Sequence, residues 1–459
     1  MTACGPGNAC TVRGVGRLAD PTVERGAGGI DDKGGGRGDS LRGVERMSGI
    51  PRLRDSTLAF AREGYTFIST RCDRLGTDLF RTRLLLQPVV CLRGAEAAGV
   101  FYDPHNFSRE HSAPRSAQHL LQDEGSVQTL TGLAHHRRKR LFLDQLSKSS
   151  EQRLADIFAE GFDAALSRPD RRRFRVDSDI RAVLTAAALR WAGLEAPRAV
   201  VELRAEEFGL MVERAASLGP PNWKARRRRV ATERWAAEQV RTLRESDGAA
   251  DGGSPASAVA HHRDDSGELL PEPVAAVELL NLLRPVVAVG RFMAFAVLAL
   301  IQRPLWRARL AEGDPEDELL FAQEVRRYFP FFPLVGGTAA RSFDWHGHQF
   351  RAGDTALLDL YGTNHDARVW HDPESFDPDR FRWWRPDPHT LVPQGGGDVV
   401  TGHRCPGEGA TLGLIGAAAR VVGRHPEFEA RIQDLAVDLR HIPAAPKSGV
   451  VLTRRTPGS

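Results

Sequence analysis

Near the C-terminal end, "TGHRCPGEG" (Thr401–Gly409) sets one cysteine, Cys405, between two basic residues and a Pro-Gly turn that leads into a run of small residues. Zinc would need a second Cys or a His at a short fixed spacing, and no such partner follows. A disulfide would need an oxidising compartment. The five cysteines (Cys4, Cys10, Cys72, Cys91, Cys405) are an odd number without framework spacing, which points to a reducing, cytoplasmic setting. A third reading, a thiolate bound to a haem iron, has to be weighed against these two and against an inert buried thiol.

Two further groupings could serve such a ligand. In "QEVRRYFP", Glu324 and Arg327 are three apart and share one helix face. About fifty residues on, "SFDPDRF" places Arg380 between two phenylalanines, so that a glutamate held between two arginines would lock the coil that presents the cysteine. Farther upstream, "LLRPVVAVGRF" puts Arg284 and Pro285 inside a helix that is apolar on nearly every side. Proline there removes a helix hydrogen bond, and a buried guanidinium is costly unless an anion meets it. Burial alone leaves open whether that anion comes from the protein or from a substrate.

The order Glu-x-x-Arg, Phe-Asp-Pro-Asp-Arg-Phe, Gly-His-Arg-Cys-Pro-Gly resembles the cytochromes P-450, over the chain from about Asp55 onward. The resemblance implies a single haem-thiolate domain (47–459) of mainly α fold with a minor segregated β part, the haem lying between a long distal helix and the cysteine loop. It implies haem b as cofactor, Cys405 as the iron ligand, and Glu324, Arg327 and Arg380 as a structural triad. The superfamily has a Phe seven and a Gly four residues before the cysteine, where this chain has Asp398 and Thr401. That loop, "PQGGGDVVTGHRCPGEG", is similar to the bacterial fatty-acid peroxygenase branch, as are "LYGTNHD", "QEVRRYFP" and "LGPPNWK".

In that branch the acid–alcohol pair of ordinary monooxygenases is missing, and the arginine of the Arg-Pro pair holds the substrate carboxylate. The implied reaction is hydrogen-peroxide-dependent hydroxylation of a long-chain fatty acid at the α or β carbon, with no redox partner protein. His135, Lys139, His403 and Arg404 would contact the haem; a solvated basic helix is the rival reading for His135 and Lys139. Gln128 would lie over the haem face, where hydroxylating members carry glutamine and decarboxylating members histidine. Leu121, Val212, Ala215, Ala288 and Leu334 would line the channel. Alkene-forming decarboxylation, a reductase-fed monooxygenase and a haem-binding sensor are the alternatives.

The remaining pattern must position these groups. Net charge is +4, too small to imply a nucleic-acid partner, and Lys224–Arg229 reads as a solvated helix face. Residues 1–46 are rich in Gly and Arg and are expected to be disordered; an upstream start codon chosen wrongly would explain Met47 following them. The Arg-Gly-Asp at Arg37–Asp39 is read as chance. The longest apolar run, Leu282–Ile301, is interrupted by Arg284 and Arg291, so a buried helix is expected and no transmembrane segment. A short helix should stop at Gly64, "YTFIS" should be a strand, and "RTRLLLQPVVCLRG" a strand pair before a helix opened by Gly94. Gly132–Val240 should be nearly all helical, with "LGPPNWK" as a loop. "ESDGAADGGSPASAVAHHRDDSGE" should be a polar linker ahead of one long helix, Glu272–Ile301. A helix ending in "FAQEVRRYFP", short strands around "RSFDWHGHQFRAGDTALLDL" and a last helix to about Gly423 complete the expectation.

Overall fold

The structure, a computed structural model, describes residues 50–109, 115–121, 125–215, 217, 219–246, 253–264 and 266–455. The expected disordered extension 1–46, Met47, Arg37–Asp39, Cys4, Cys10 and Leu218 lie outside the described residues. The chain enters through β1 (Arg52–Asp55), α1 (Thr57–Glu63) and α2 (Phe67–Leu75). The hairpin β2 (Leu79–Leu84) and β3 (Gln87–Arg93), α3 (Ala95–Tyr102) and β4 (Phe107–Ser108) follow. A helical block comes next: α4 (Arg115–Leu121), α5 (Gly132–Gln145), α6 (Lys148–Ser167), the short β5 (Arg173–Arg175), α7 (Val176–Ala192), α8 (Arg198–Glu213), α9 (Pro220–Glu245) and α10 (Pro255–Ala260). The second half carries α11 (Glu272–Ala288), α12 (Gly290–Gln302), α13 (Pro304–Glu312), α14 (Pro315–Tyr328), β6 (Leu334–Ala339), β7 (Phe343–Trp345) and β8 (His348–Phe350). It ends with β9 (Thr355–Asp359), α15 (Leu360–Asn364), α16 (Glu408–Arg424), β10 (Phe428–Ala430) and β11 (Val451–Arg454).

This is a mainly helical fold with a minor sheet part. The six-stranded sheet runs β1-β2-β3-β9-β6-β4, with β3 and β9 parallel, and β10-β11-β5 forms a second sheet. One large apolar cluster joins Phe158 of α6, Leu184 of α7, Leu283 of α11, Phe295 of α12, Phe321 of α14 and Leu414 of α16, all fully buried. Gly290 lets α12 approach α7, since a Cβ there would sit 3.1 Å from a Leu184 methyl. Glu272–Gln302 is long and apolar enough to cross a membrane, but it is mostly buried among other helices.

Three local expectations give way. "YTFIS" is helical: its aromatic and β-branched residues suggest a strand, yet Tyr65, Phe67, Ile68 and Cys72 share a helical face against the core. In "LGPPNWK" the expected loop gives way to helix from Pro220, because Pro220 and Pro221 occupy the first turn of α9, where a helix needs no N–H. The polar linker contains α10, capped by Ser254 accepting from Ser257 N, with Ala256, Val259 and Ala260 buried. The long distal helix is present as expected, from Glu272 to Gln302: α11 and α12 meet at Val289, itself in helical conformation, whose N–H is shared between Pro285 O and Val286 O.

Behind the cysteine loop, α14 is tied to the coil before it. Glu324, at 0% exposure, accepts from Arg327 Nε and Nη2 at 2.7 Å each, from Asp377 N at 2.8 Å and from Arg380 Nε at 3.3 Å. Both arginines spend their remaining donors on carbonyls: Arg327 on Asn364, Pro373 and Ser375, Arg380 on His371, Asp372 and Ser375. Arg327→Ala removes the bidentate partner of a fully buried carboxylate, leaving only Asp377 N and the longer Arg380 bond, and should cost about 3–5 kcal/mol. Arg380→Ala leaves the bidentate pair intact and should cost clearly less. Urea unfolding of the two variants checks the order; equal losses would contradict it.

Candidate active site

Cys405 sits at the N-terminal end of α16, two residues before the Gly407 cap, and its loop is half-buried. Burial raises the thiol's pKa, while the Gly407 N–H and the cations Arg326 and Lys139 oppose the rise. Gln394 closes the loop twice: its carbonyl accepts from Cys405 N at 3.2 Å, and its side-chain amide lies 3.8 Å from Sγ and 3.0 Å from Thr411 Oγ1. Behind it, the fully buried Arg326 donates to Gln394 Oε1 at 2.9 Å and to Glu408 Oε1 at 2.8 Å. Arg404 is engaged on the other Glu408 oxygen at 2.6 Å. Cys72 and Cys91 are free and fully buried in the small core under β2 and β3, where burial pushes both thiols far up. Among the described residues no group of three His, Cys, Asp or Glu could hold a metal ion, so a zinc role for Cys405 has no support.

Helix α5 brings basic groups to the same loop. Lys139, 2% exposed, donates to Gly402 O and, at 2.8 Å, to Arg404 O. The His135 ring lies 4.1 Å, centroid to centroid, from that of His403. Burial, reinforced by neighbouring basic groups, lowers His135 to about 4 and His403 well below its usual value; burial also lowers Lys139 to about 8, against the opposing pull of Cys405 and Asp398. Arg109, which sequence reasoning missed, adds to the field on His403 and donates to Gly336 O at 2.5 Å. A partly accessible thiol beside buried cations fits a haem, which offers iron to the sulfur and two carboxylates to the basic groups. Cys405 would ligate it, with His135, Lys139 and His403 facing the carboxylates. The Arg404 guanidinium is already paired with Glu408, so its part is to hold the loop.

Helix α11 carries the residues expected on the substrate side. Asn281, Arg284, Pro285 and Ala288 recur at helical spacing; Pro285 and Ala288 keep open surface while Val286 and Val287 between them are buried. Arg284, 5% exposed, donates to three neutral oxygens: Leu120 O at 3.2 Å, Leu121 O and Asn281 Oδ1 at 3.0 Å. Gln128 is half-buried, its Oε1 accepting from Ser126 Oγ at 2.9 Å. Of the channel residues, Leu121, Val212 and Ala288 are only part-covered, on helices α4, α8 and α11 that converge here, and Ala215 is buried. Leu334, at the start of β6, is also part-covered, and it packs against the small core formed by Phe67, Phe80 and Leu357. Sequence reasoning also missed Glu278 and Asn281, although "VELLNLLRP" shows them at three-residue steps before Arg284.

The fold, the cysteine loop and the buried triad define a haem-thiolate protein. The chain belongs to the cytochrome P450 family, whose model matches residues 321–408. It is similar to solved cytochrome P450SP alpha (CYP152B1) in complex with (R)-ibuprophen, 38% identical with a TM-score of 0.84, over 88% of this chain and 100% of that one. It is likewise similar to cytochrome P450EX alpha (CYP152N1) with myristic acid, 38% identical, TM-score 0.82, covering 88% and 98%. A variant of cytochrome P450 OleT in complex with arachidonic acid is 30% identical, TM-score 0.83, covering 88% and 99%. Among curated sequences, putative cytochrome P450 132 of Mycobacterium tuberculosis is 31% identical over 109 residues, a match spanning 23% of this chain and 23% of that protein.

Cys405→Ala should abolish the red-shifted Soret band of the reduced carbon-monoxide complex, and Cys72→Ala should leave it in place. A thiolate spectrum that survives loss of Cys405 would overturn the ligand assignment.

Proposed function

We propose that this protein hydroxylates long-chain fatty acids at the α or β carbon with hydrogen peroxide, holding the substrate carboxylate on Arg284. The observation that carries this reading is a guanidinium nearly out of water on the distal helix, beside open surface at Pro285 and Ala288. The fatty acids in the solved relatives agree with it. The net reaction converts R–H and H2O2 into R–OH and water. Bound haem b supplies the oxidant that removes the hydrogen and returns the hydroxyl.

This chain's residues do the rest. Arg284 can present two N–H groups to a carboxylate, a geometry that lysine could not match. Anchoring that end leaves the α and β carbons nearest the reacting centre, while Leu121, Val212 and Ala288 offer apolar surface to the alkyl chain. Residues 284–289 read Arg-Pro-Val-Val-Ala-Val, with no acid or hydroxyl to move protons. The anchored carboxylate takes that task, passing a proton from one peroxide oxygen to the other as water leaves. No reductase is called for. Gln128 cannot take up a proton near pH 7, unlike an imidazole, so hydroxyl return should prevail over loss of carbon dioxide. The buried free thiols suit a reducing compartment, and the cytoplasm is the proposed location. We assign residues 47–459 to a single catalytic domain.

Purified holoprotein, hydrogen peroxide and myristic acid should yield 2- or 3-hydroxy acid by mass spectrometry; terminal alkene as the major product would overturn the role given to Gln128. Arg284→Ala should keep the haem and lose most turnover, and a short carboxylic acid should let the wild type oxidise a non-acidic substrate. Normal fatty-acid turnover by Arg284→Ala would refute the anchor.

A further inference from the structure

Helix α11 buries a carboxylate as well as a guanidinium. Glu278, at 0% exposure, lies six residues before Arg284. Its Oε1 accepts from Arg138 Nη1 of α5 at 2.7 Å and from Val127 N at 3.0 Å. Its Oε2 accepts from Asn281 Nδ2 at 2.9 Å, and Asn281 Oδ1 in turn accepts from Arg284 Nη2 at 3.0 Å. The hydrogen bonds therefore run Arg138–Glu278–Asn281–Arg284, with a branch to the turn that bears Gln128.

The chain has a direction imposed by chemistry. An ionised carboxylate only accepts and a guanidinium only donates, so the amide between them can point one way only: NH2 toward Glu278, oxygen toward Arg284. From this geometry we infer that Glu278 is a positioning residue, one buried carboxylate that orients Arg284 through Asn281 and sets the Gln128 turn through Val127 N. It touches no substrate. It fixes the substrate anchor relative to the residue over the reacting centre, and so the depth at which the alkyl chain is presented. The inference rests on the functional reading above for what Arg284 holds.

Glu278→Gln tests it with almost no change in volume. A glutamine amide cannot accept at both ends, and a donor facing Asn281 forces that amide to turn its NH2 toward Arg284, which has nothing to accept with. The variant holoprotein should retain the thiolate carbon-monoxide band and its affinity for imidazole, which needs no carboxylate anchor. Its dissociation constant for myristic acid should rise by about tenfold or more, as expected when a hydrogen bond to a charged group is lost. Asn281→Leu cuts the same relay while sparing the Arg138–Glu278 pair, and should give a similar loss in a stable protein. The double variant should be no worse than the single ones, because both act through one path. Additive losses, equal weakening of imidazole, or unchanged myristic-acid affinity in Glu278→Gln would each overturn the relay. A wild type that ignores myristic acid would overturn the functional reading instead. The relay is then judged by a crystal structure of Glu278→Gln: displacement of Arg284 from Asn281 supports it, and an unmoved Arg284 refutes it.

Discussion

A charge taken out of water must be met by other groups, and this constraint organises the interior. Glu278 and Glu324 are completely buried, and each is met by several donors. Each connects a helix to an irregular segment that could not be held by apolar packing alone. Glu324 pins the coil that leads to the cysteine loop. Glu278 pins the turn bearing Gln128 and reaches toward Arg284. The irregular parts of the site are thereby fixed to the rigid ones, as a site requiring precise placement must be.

Helix α5 links the two sides. Lys139 holds carbonyls of the cysteine loop, whereas Arg138, its neighbour in sequence, meets Glu278 on the distal helix. Adjacent residues on a helix point about 100° apart, so one element can serve both walls. On the proximal wall, Arg326, Gln394 and Glu408 form a second buried chain ending 3.8 Å from the sulfur. The thiol's surroundings are thus cationic and hydrogen-bonded, as a thiolate ligand requires. Cys72 and Cys91 show the contrast: they are packed among Phe67, Phe80 and Val89 and behave as apolar filler.

The fold class and the order of the main elements were legible because the helices are long and strongly patterned and because the motifs fall in a recognisable order. Glu324, Arg327 and Arg380 could be grouped from "QEVRRYFP" and "SFDPDRF" alone. Short elements were misread where composition and tertiary role diverge: "YTFIS" is strand-like in residue type, and α10 is hidden inside a polar stretch. Glu278 and Asn281 escaped notice because an apolar helix draws attention to its one arginine, and a relay is visible only when its outside partners, Arg138 and Val127 N, are brought beside it in space.

In the proposed reaction the substrate's carboxylate is both anchor and proton carrier. The direct comparison is myristic acid against its methyl ester, given to the holoprotein with hydrogen peroxide. The ester keeps the chain and loses the charge. Hydroxylated acid with little or no hydroxylated ester is the expected result; hydroxylation of the ester at the rate of the acid would contradict the account.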